Sequence, residues 1–348
     1  MTVTEDLSRA RGELFPLLLG YIPAQVAHAL ARLAVADRLA DGPATAERLA
    51  ARTGTHAPSL YRLLRAAASL GLVTLADGRF ELTGTGQLLR AGVPGSVRNL
   101  VLLFAGEPVW RSWGRLEHSV RTGETAFEHL HGTNSFGYFA AHPEEGAVFN
   151  EAMAEHTREV APDVVTRCGL AAPRRIADLG GGNGTLLAAF LAAHPGATGV
   201  LHDTASGHRD AERVLTGAGV RDRCEVVTGD FFASVPGGCD TYVLKSVIHD
   251  WDDDAATRIL RRCREAMTPA AALYLIEPVV PVDPAGLPAA GGMLMGDLNM
   301  LVCTGGRERT EAEFGALLAA AGLRLDAVTP PADADNYSVL RASPGATG

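Results

Sequence analysis

The segment Asp178-Leu179-Gly180-Gly181-Gly182-Asn183-Gly184 is the first place in this chain where residue type and spacing point to chemistry. Glycines let a backbone pass close to a ligand and take conformations that a side chain resists. The helix expected from Thr185 onward offers free N–H groups to a carboxylate or phosphate. A dinucleotide fingerprint beginning at Gly180 needs glycine or alanine at position 185, where this chain has Thr, so the pattern is acid-x-G-x-G-x-G. A tight strand-to-helix turn without a ligand is the plain alternative. Three residues at later strand ends argue against it. Asp203 stands 25 residues after Asp178, about where a carboxylate accepts from both hydroxyls of a ribose. Asp230, in Gly-Asp-Phe-Phe, can accept from an adenine amino group while Phe231 covers the ring. Lys245 lies near the end of a fourth strand and can pair with a ligand carboxylate. Just beyond it comes His249, an imidazole able to take a hydroxyl proton if a carboxylate orients it. Glu277, ending a fifth strand, and Glu308, in GGRERTEAEF, are the candidate carboxylates.

These residues need a scaffold that brings strand ends together. From about residue 174, apolar runs (RRIADLG, TGVLHD, CEVVTGD, DTYVLKSVIHD, ALYLIEP) alternate with helical stretches such as TLLAAFLAAH and AATRILRRCREAM. That alternation predicts a parallel sheet covered on both faces, with ligands at the carboxyl ends of its strands. Residues 100–165 read as helical and carry Trp110, Trp113, Phe136, Tyr138, Phe139 and Phe149. In the first hundred residues, Thr45 caps a helix that stops at Gly54, and Pro58 starts a second, with Leu60, Leu63, Leu64 and Ala67 on one face. Two short strands then flank the Asp77-Gly78 turn, completing a winged-helix outline. The expected organisation is a winged-helix-like domain over 1–100, a helical linker over 101–165, and a ligand-binding α/β domain over 166–348. The terminal SPGATG reads as a frayed tail.

Composition narrows the function. The chain has 348 residues, 47% of them apolar, and a net charge of −9, which is the wrong sign for a general nucleic-acid binder. Residues 1–100 hold eleven Arg against eight acids, and the second helix of the outline offers only Arg62 and Arg65, so a DNA-binding regulator is a remote alternative. Lys245 is the only lysine among 31 basic residues, a bias that devalues each Arg as a clue and raises the interest of Lys245. Five scattered cysteines read as reduced thiols in a cytoplasmic protein. The apolar stretch 14–36 is interrupted by Pro16, Gly20 and Pro23, making it a poor membrane span and a good buried or subunit-facing helix. Asp250, Asp252, Asp253 and Asp254 read as solvation and capping of the next helix, and no metal site is expected.

DLGGGNG, GDFF, LKxxxHDW, the strand-ending EP and GGxERTExEF together resemble the small-molecule O-methyltransferases of the plant caffeate and bacterial antibiotic-pathway type. The resemblance covers nearly the whole chain. It implies a class I methyltransferase doubly wound α/β sheet, preceded by a mostly helical, winged-helix-like dimerisation domain. It further implies S-adenosylmethionine as cofactor, a homodimer, and methyl transfer to a hydroxyl of a small aromatic or polyketide-type metabolite. His249 resembles the family's base, with Glu277 and Glu308 as its flanking carboxylates. Asp178, Gly180, Gly182, Asp203, Asp230, Phe231 and Lys245 fall at its cofactor contacts. FNEAMAEHT resembles the acceptor-lining helix, which implicates Phe149, Met153 and His156, and DLNML implicates Asn299 and Met300. The segment after Asp203, TASGHRD, lacks the Leu-Pro pair common in relatives. Methylation of carbon beside a keto acid, or use of the cofactor for other chemistry, remain as alternatives.

Overall fold

Thr45 takes an extended backbone and its hydroxyl accepts from the Arg48 N–H, starting the helix Ala46–Thr53, which Gly54 ends in the left-handed region. The helix Ala57–Ser69 follows, with Pro58 in its first turn and Leu60, Leu64 and Ala67 buried. Strands β1 (Val73–Ala76) and β2 (Arg79–Leu82) pair antiparallel across Asp77 and Gly78. Both turn residues have positive φ, the requirement of a type I′ hairpin. Together these elements close a core around Leu49, Leu64 and Phe80. The computed structural model describes residues 3–286, 290–331 and 336–345. The chain divides into two compact units between Trp110 and Arg111.

Helices Val3–Leu18 and Tyr21–Arg32 precede the hairpin unit, and Leu14, Leu17 and Leu18 are each more than 60% exposed. By length and composition Leu7–Arg32 is also apolar enough to cross a membrane. So the expectation that its prolines and glycine make it a poor span holds only for its continuity, since the helix is interrupted at Leu19-Gly20.

The second unit is built on a seven-stranded sheet. Five strands run parallel: β3 (Arg175–Leu179), β4 (Thr198–Asp203), β5 (Cys224–Thr228), β6 (Thr241–Lys245) and β7 (Ala272–Pro278). β8 (Leu323–Thr329) and β9 (Tyr337–Pro344) complete it, in the order β5-β4-β3-β6-β7-β9-β8, with β9 antiparallel to both neighbours. Ser343 and Pro344 therefore belong to the sheet, paired with Arg324 and Leu323, rather than to a frayed tail; residues 346–348 lie outside the described residues. Side chains alternate between two cores. Ala177, Leu179, Tyr242, Leu244, Leu273 and Leu275 face one, which the helices Asp253–Ala266 and Glu311–Ala320 cover. Ile176, Val243, Tyr274 and Ile276 face the other, beneath Pro143–Cys168 and Thr185–Ala193. This is a doubly wound sheet, and its order reverses between β3 and β6. At such a switch point the connections leave in opposite directions and open a crevice beyond the strand ends.

Candidate active site

The glycine loop fills that switch point. Gly180, Gly182 and Gly184 all have positive φ, and a Cβ on Gly181 would stand 2.6 Å from the Asp178 carboxyl and from Leu201. A Cβ on Gly180 would approach Val247 to 2.9 Å and the Phe231 ring to 3.5 Å, so Phe231 lies over the loop. Asp178 is buried beneath the loop, one of its oxygens has no partner, and burial followed by the Asp203 charge pushes its carboxyl up to about 7. It shares a cavity of about 40 Å³ with Gly180, Gly181, Thr157 and Lys245. Asp203, the last residue of β4, accepts from the Gly182 N–H at 2.8 Å and from the Thr204 N–H, which ties the second strand's acid to the loop. The Thr204 hydroxyl also donates to the same Oδ1, so of about four acceptor sites on the carboxylate the one left for a ribose hydroxyl lies on Oδ2. The Thr204–Gly207 segment, which departs from the family pattern, thus folds back onto Asp203 through the hydroxyl of Thr204. Asp230 lies two residues past β5 and turns its own loop by accepting from the Phe232 N–H at 2.8 Å.

Lys245 ends β6. Its ammonium donates to the Ser246 and Tyr337 hydroxyls, each at 3.2 Å, and sits 4.4 Å over the Tyr337 ring. Ser246 takes φ 53°, an uncommon conformation for a residue with a side chain, and its hydroxyl lies 2.7 Å from that of Tyr337. His156, from the long helix Pro143–Cys168, reaches the same hydroxyl at 3.4 Å. Burial, then the positive charges of Lys245 and His249, hold its imidazole down at about 4, so it is neutral at physiological pH.

His249 occupies a 3₁₀ turn, Ile248–Asp250, immediately after β6. Its Nδ1 lies 2.9 Å from Glu308 Oε1 and 3.8 Å from Glu277 Oε2, while its Nε2 lies 3.9 Å from Asp250. Glu277 is fully buried, and its other oxygen accepts from the Val247 and Ile248 N–H groups at 3.0 and 2.8 Å. Burial alone would push the imidazole down. The carboxylates of Glu277, Glu308 and Asp250 outweigh it and raise His249 well above its ordinary value. Because a carboxylate can only accept, the His249 Nδ1 carries its proton toward Glu308, leaving Nε2 as the atom for exchange.

The expected acceptor residues are partly gathered. Phe149 stacks on Phe139 at 4.8 Å and meets Phe136 edge-on, and Phe136 in turn stacks on Trp251 at 5.4 Å. Trp251 meets both Phe231 and Phe232 edge-on, linking the cofactor loop to this aromatic wall. Asn299 accepts from the Trp113 indole N–H at 3.0 Å. Met300 is half-buried, its sulfur 3.6 Å from the Thr304 hydroxyl, and Met153 is half-buried on the face between Phe149 and His156.

The acidic run divides. Asp252 caps the following helix through the Ala255 N–H, and Asp253 pairs with Arg309, but Asp250 is not a cap. Burial pushes its carboxyl up to about 7, and it faces His249. No cluster of three or more metal-ligating side chains occurs among the described residues. Tyr337 and Arg309 are site residues given no role by sequence reasoning, and Asp250, expected as part of a helix cap, is a third that faces the site instead. Asp250, adjacent to His249, and Arg309, adjacent to Glu308 in GGxERTExEF, had a local signal, and Tyr337 had none.

A doubly wound sheet with a glycine loop at its switch point, acids at the next two strand ends and a buried His–Glu pair defines a nucleoside-cofactor transferase site. Residues 113–324 match the O-methyltransferase domain and residues 15–92 the O-methyltransferase dimerisation domain, and the chain belongs to that family of S-adenosylmethionine-dependent enzymes. It is 43% identical to a phenazine O-methyltransferase of Lysobacter antibioticus, across 95% of both chains. It is 40% identical to an 8-amino-8-demethylriboflavin N,N-dimethyltransferase of Streptomyces davaonensis, across 88% of both. Among solved structures, the O-methyltransferase of neocarzinostatin biosynthesis, in complex with S-adenosylmethionine and 2-hydroxy-5-methyl naphthoic acid, superposes with a TM-score of 0.77 at 36% identity, over 92% of this chain and 96% of that one. The residues present fit the cofactor. A loop with no room for a side chain at Gly180 and Gly181, the unpartnered oxygen of Asp178 and the Lys245 ammonium suit its zwitterionic end, and Asp203 retains acceptor capacity for its ribose.

Proposed function

We propose that this enzyme methylates a hydroxyl, phenolic in character, on a small aromatic or polyketide-type metabolite, with His249 as general base. The observation that carries the reading is the His249 Nδ1–Glu308 contact of 2.9 Å, backed by Glu277 at 3.8 Å, in the turn that follows Lys245. When bound, S-adenosylmethionine supplies an electrophilic methyl group on a positively charged sulfur. Gly180, Gly182, Asp178, Asp203, Asp230, Phe231 and Lys245 hold it. Phe149, Met153, His156, Asn299 and Met300 shape the acceptor side. His249 Nε2 takes the hydroxyl proton of the acceptor, whose oxygen can then receive the methyl group that bound S-adenosylmethionine would supply. Glu308 and Glu277 stabilise the imidazolium that results.

An amine acceptor is the second reading, favoured by the N,N-dimethyltransferase relative. Mass spectrometry on a panel of phenols, matched anilines and keto acids decides among these. A CH₂ gain on phenolic oxygen is expected. Methylation confined to nitrogen or carbon would overturn the assignment.

The proposed base also fixes a pH dependence. An imidazole held above its ordinary value by Glu277, Glu308 and Asp250 must lose its proton before it can accept another, so turnover should climb with pH and level off above its titration. Glu308→Gln removes one supporting charge while Glu277 and Asp250 remain, so the climb should move to lower pH even as maximal turnover falls. A climb that stays in place would mean that Glu308 does not support the imidazolium.

The N-terminal unit belongs, on this reading, to an isologous homodimer, supported by its dimerisation-domain match and the exposed apolar helices. A cytoplasmic location is part of the same reading, and five buried, unpaired cysteines support it. Light scattering at micromolar concentration should find a dimer, and Leu17→Glu should shift it toward monomer. A monomeric unaltered protein would leave those helices to another partner.

A further inference from the structure

Arg309 is the largest side chain with no exposure to solvent in the described chain, and all five of its N–H donors are used. Nε and one Nη2 donor reach Asp253, at 3.0 and 2.8 Å. The other Nη2 donor reaches the Trp251 carbonyl at 2.8 Å. Nη1 donates to the Ile248 carbonyl at 3.1 Å and to the Arg307 carbonyl at 3.3 Å. Ile248 and Trp251 bracket His249 on either side. The fork therefore grips both ends of the turn that carries the imidazole, and Asp253 holds the fork.

The rest of the segment closes on the same turn. The Arg307 N–H donates to the His249 carbonyl at 2.9 Å. A Cβ on Gly306 would meet that carbonyl at 1.9 Å and the Trp251 nitrogen at 2.6 Å, so no side chain fits there. Glu308, between these contacts, supplies the partner of the ring itself. One strip of chain, Gly306 to Arg309, thus holds the backbone and the ring of His249 at once.

We infer that Arg309 is a positioning residue for the proposed base, setting the His249 backbone so that its ring meets Glu308, with Asp253 as its anchor. This rests on the reading of His249 given above. A planar fork with five donors is needed, because lysine places one charge with three donors and cannot reach four acceptors in two directions.

The test uses full-length protein and two variants, Arg309→Lys and Asp253→Asn. The second leaves the buried arginine its carbonyl contacts and keeps the question open if the first does not fold. Turnover should fall on the order of 10²-fold in Arg309→Lys and less in Asp253→Asn, as small displacements of a reacting group do. S-adenosylmethionine affinity by calorimetry should be unchanged in both. In a His249→Ala background neither replacement should cost further turnover, since two residues acting through one group are not additive. Equal fractional losses in both backgrounds would overturn the inference and reduce Arg309 to a part of the fold. Nuclear magnetic resonance gives a readout independent of activity. The His249 ring, faced by Glu277, Glu308 and Asp250 with His156 beyond, should titrate at lower pH in either variant as its contact with Glu308 loosens. An unchanged titration would overturn the positioning role whatever His249→Ala does to turnover, whereas a harmless His249→Ala would remove the base assignment alone.

Discussion

His249→Ala should lower turnover by roughly 10² to 10⁴, the usual contribution of a positioned acid–base group, with cofactor affinity almost unchanged. The two effects separate because the loop, Asp203, Asp230 and Lys245 belong to other stretches of chain, and only the ring of His249 is removed. Loss should shrink for acceptors whose hydroxyl is already ionised at the assay pH, because no proton then needs a base. Glu277→Gln should cost less. Its remaining carbonyl oxygen can still accept from the Val247 and Ile248 N–H groups, so the turn survives while the charge beside the imidazolium is lost. Equal loss for ionised and neutral acceptors would make His249 an aligning group. Full activity in His249→Ala would exclude it from the mechanism.

Gly182→Asp should abolish S-adenosylmethionine binding in a protein that still folds. Gly182 has φ 55°, which aspartate tolerates better than most residues, and a Cβ there has open space around it. Folding is thus spared. The new carboxylate would sit beside Asp203, which already accepts from the Gly182 N–H, and place like charge where the loop approaches its ligand. Isothermal calorimetry giving near-normal affinity, with an unaltered circular dichroism spectrum, would sink the placement of the cofactor on this loop.

Much of the scaffold is legible in local sequence patterning. Thr45, Gly54 and Asp77-Gly78 announce their helix and hairpin through backbone preferences that act over a few residues. Four of the five parallel strands, all but the edge strand β5, are apolar and largely buried on both faces, which is unusual enough to stand out. β8 and β9 carry no such signal. β8 is half exposed and pairs through a register shift near Leu325, so its existence depends on partners remote in sequence. The site is legible where ligand chemistry demands a residue type at a strand end. It is not where burial decides the role. Arg309 stands in the GGxERTExEF motif, but as one of thirty arginines it gives no sign there of its role, which only its complete enclosure reveals. Asp250 and Asp252 are both acids near a helix start, yet one faces an imidazole and the other caps.

The sheet order also governs how the molecule can assemble. β9 inserts between β7 and β8 although it is synthesised after both, so the outer edge of β7 stays open while most of the chain emerges from the ribosome. That edge belongs to a strand buried on both faces, a surface prone to wrong pairing until its true neighbour arrives. The same late strand begins with Tyr337, the residue on which Lys245 rests. A polypeptide stopped short of Tyr337 would carry the glycine loop, the histidine and both glutamates, but would lack the strand that seals the sheet and steadies the lysine. Completion of the site therefore waits on the last strand to be synthesised, and partly made chains should be clients of chaperones rather than weak enzymes.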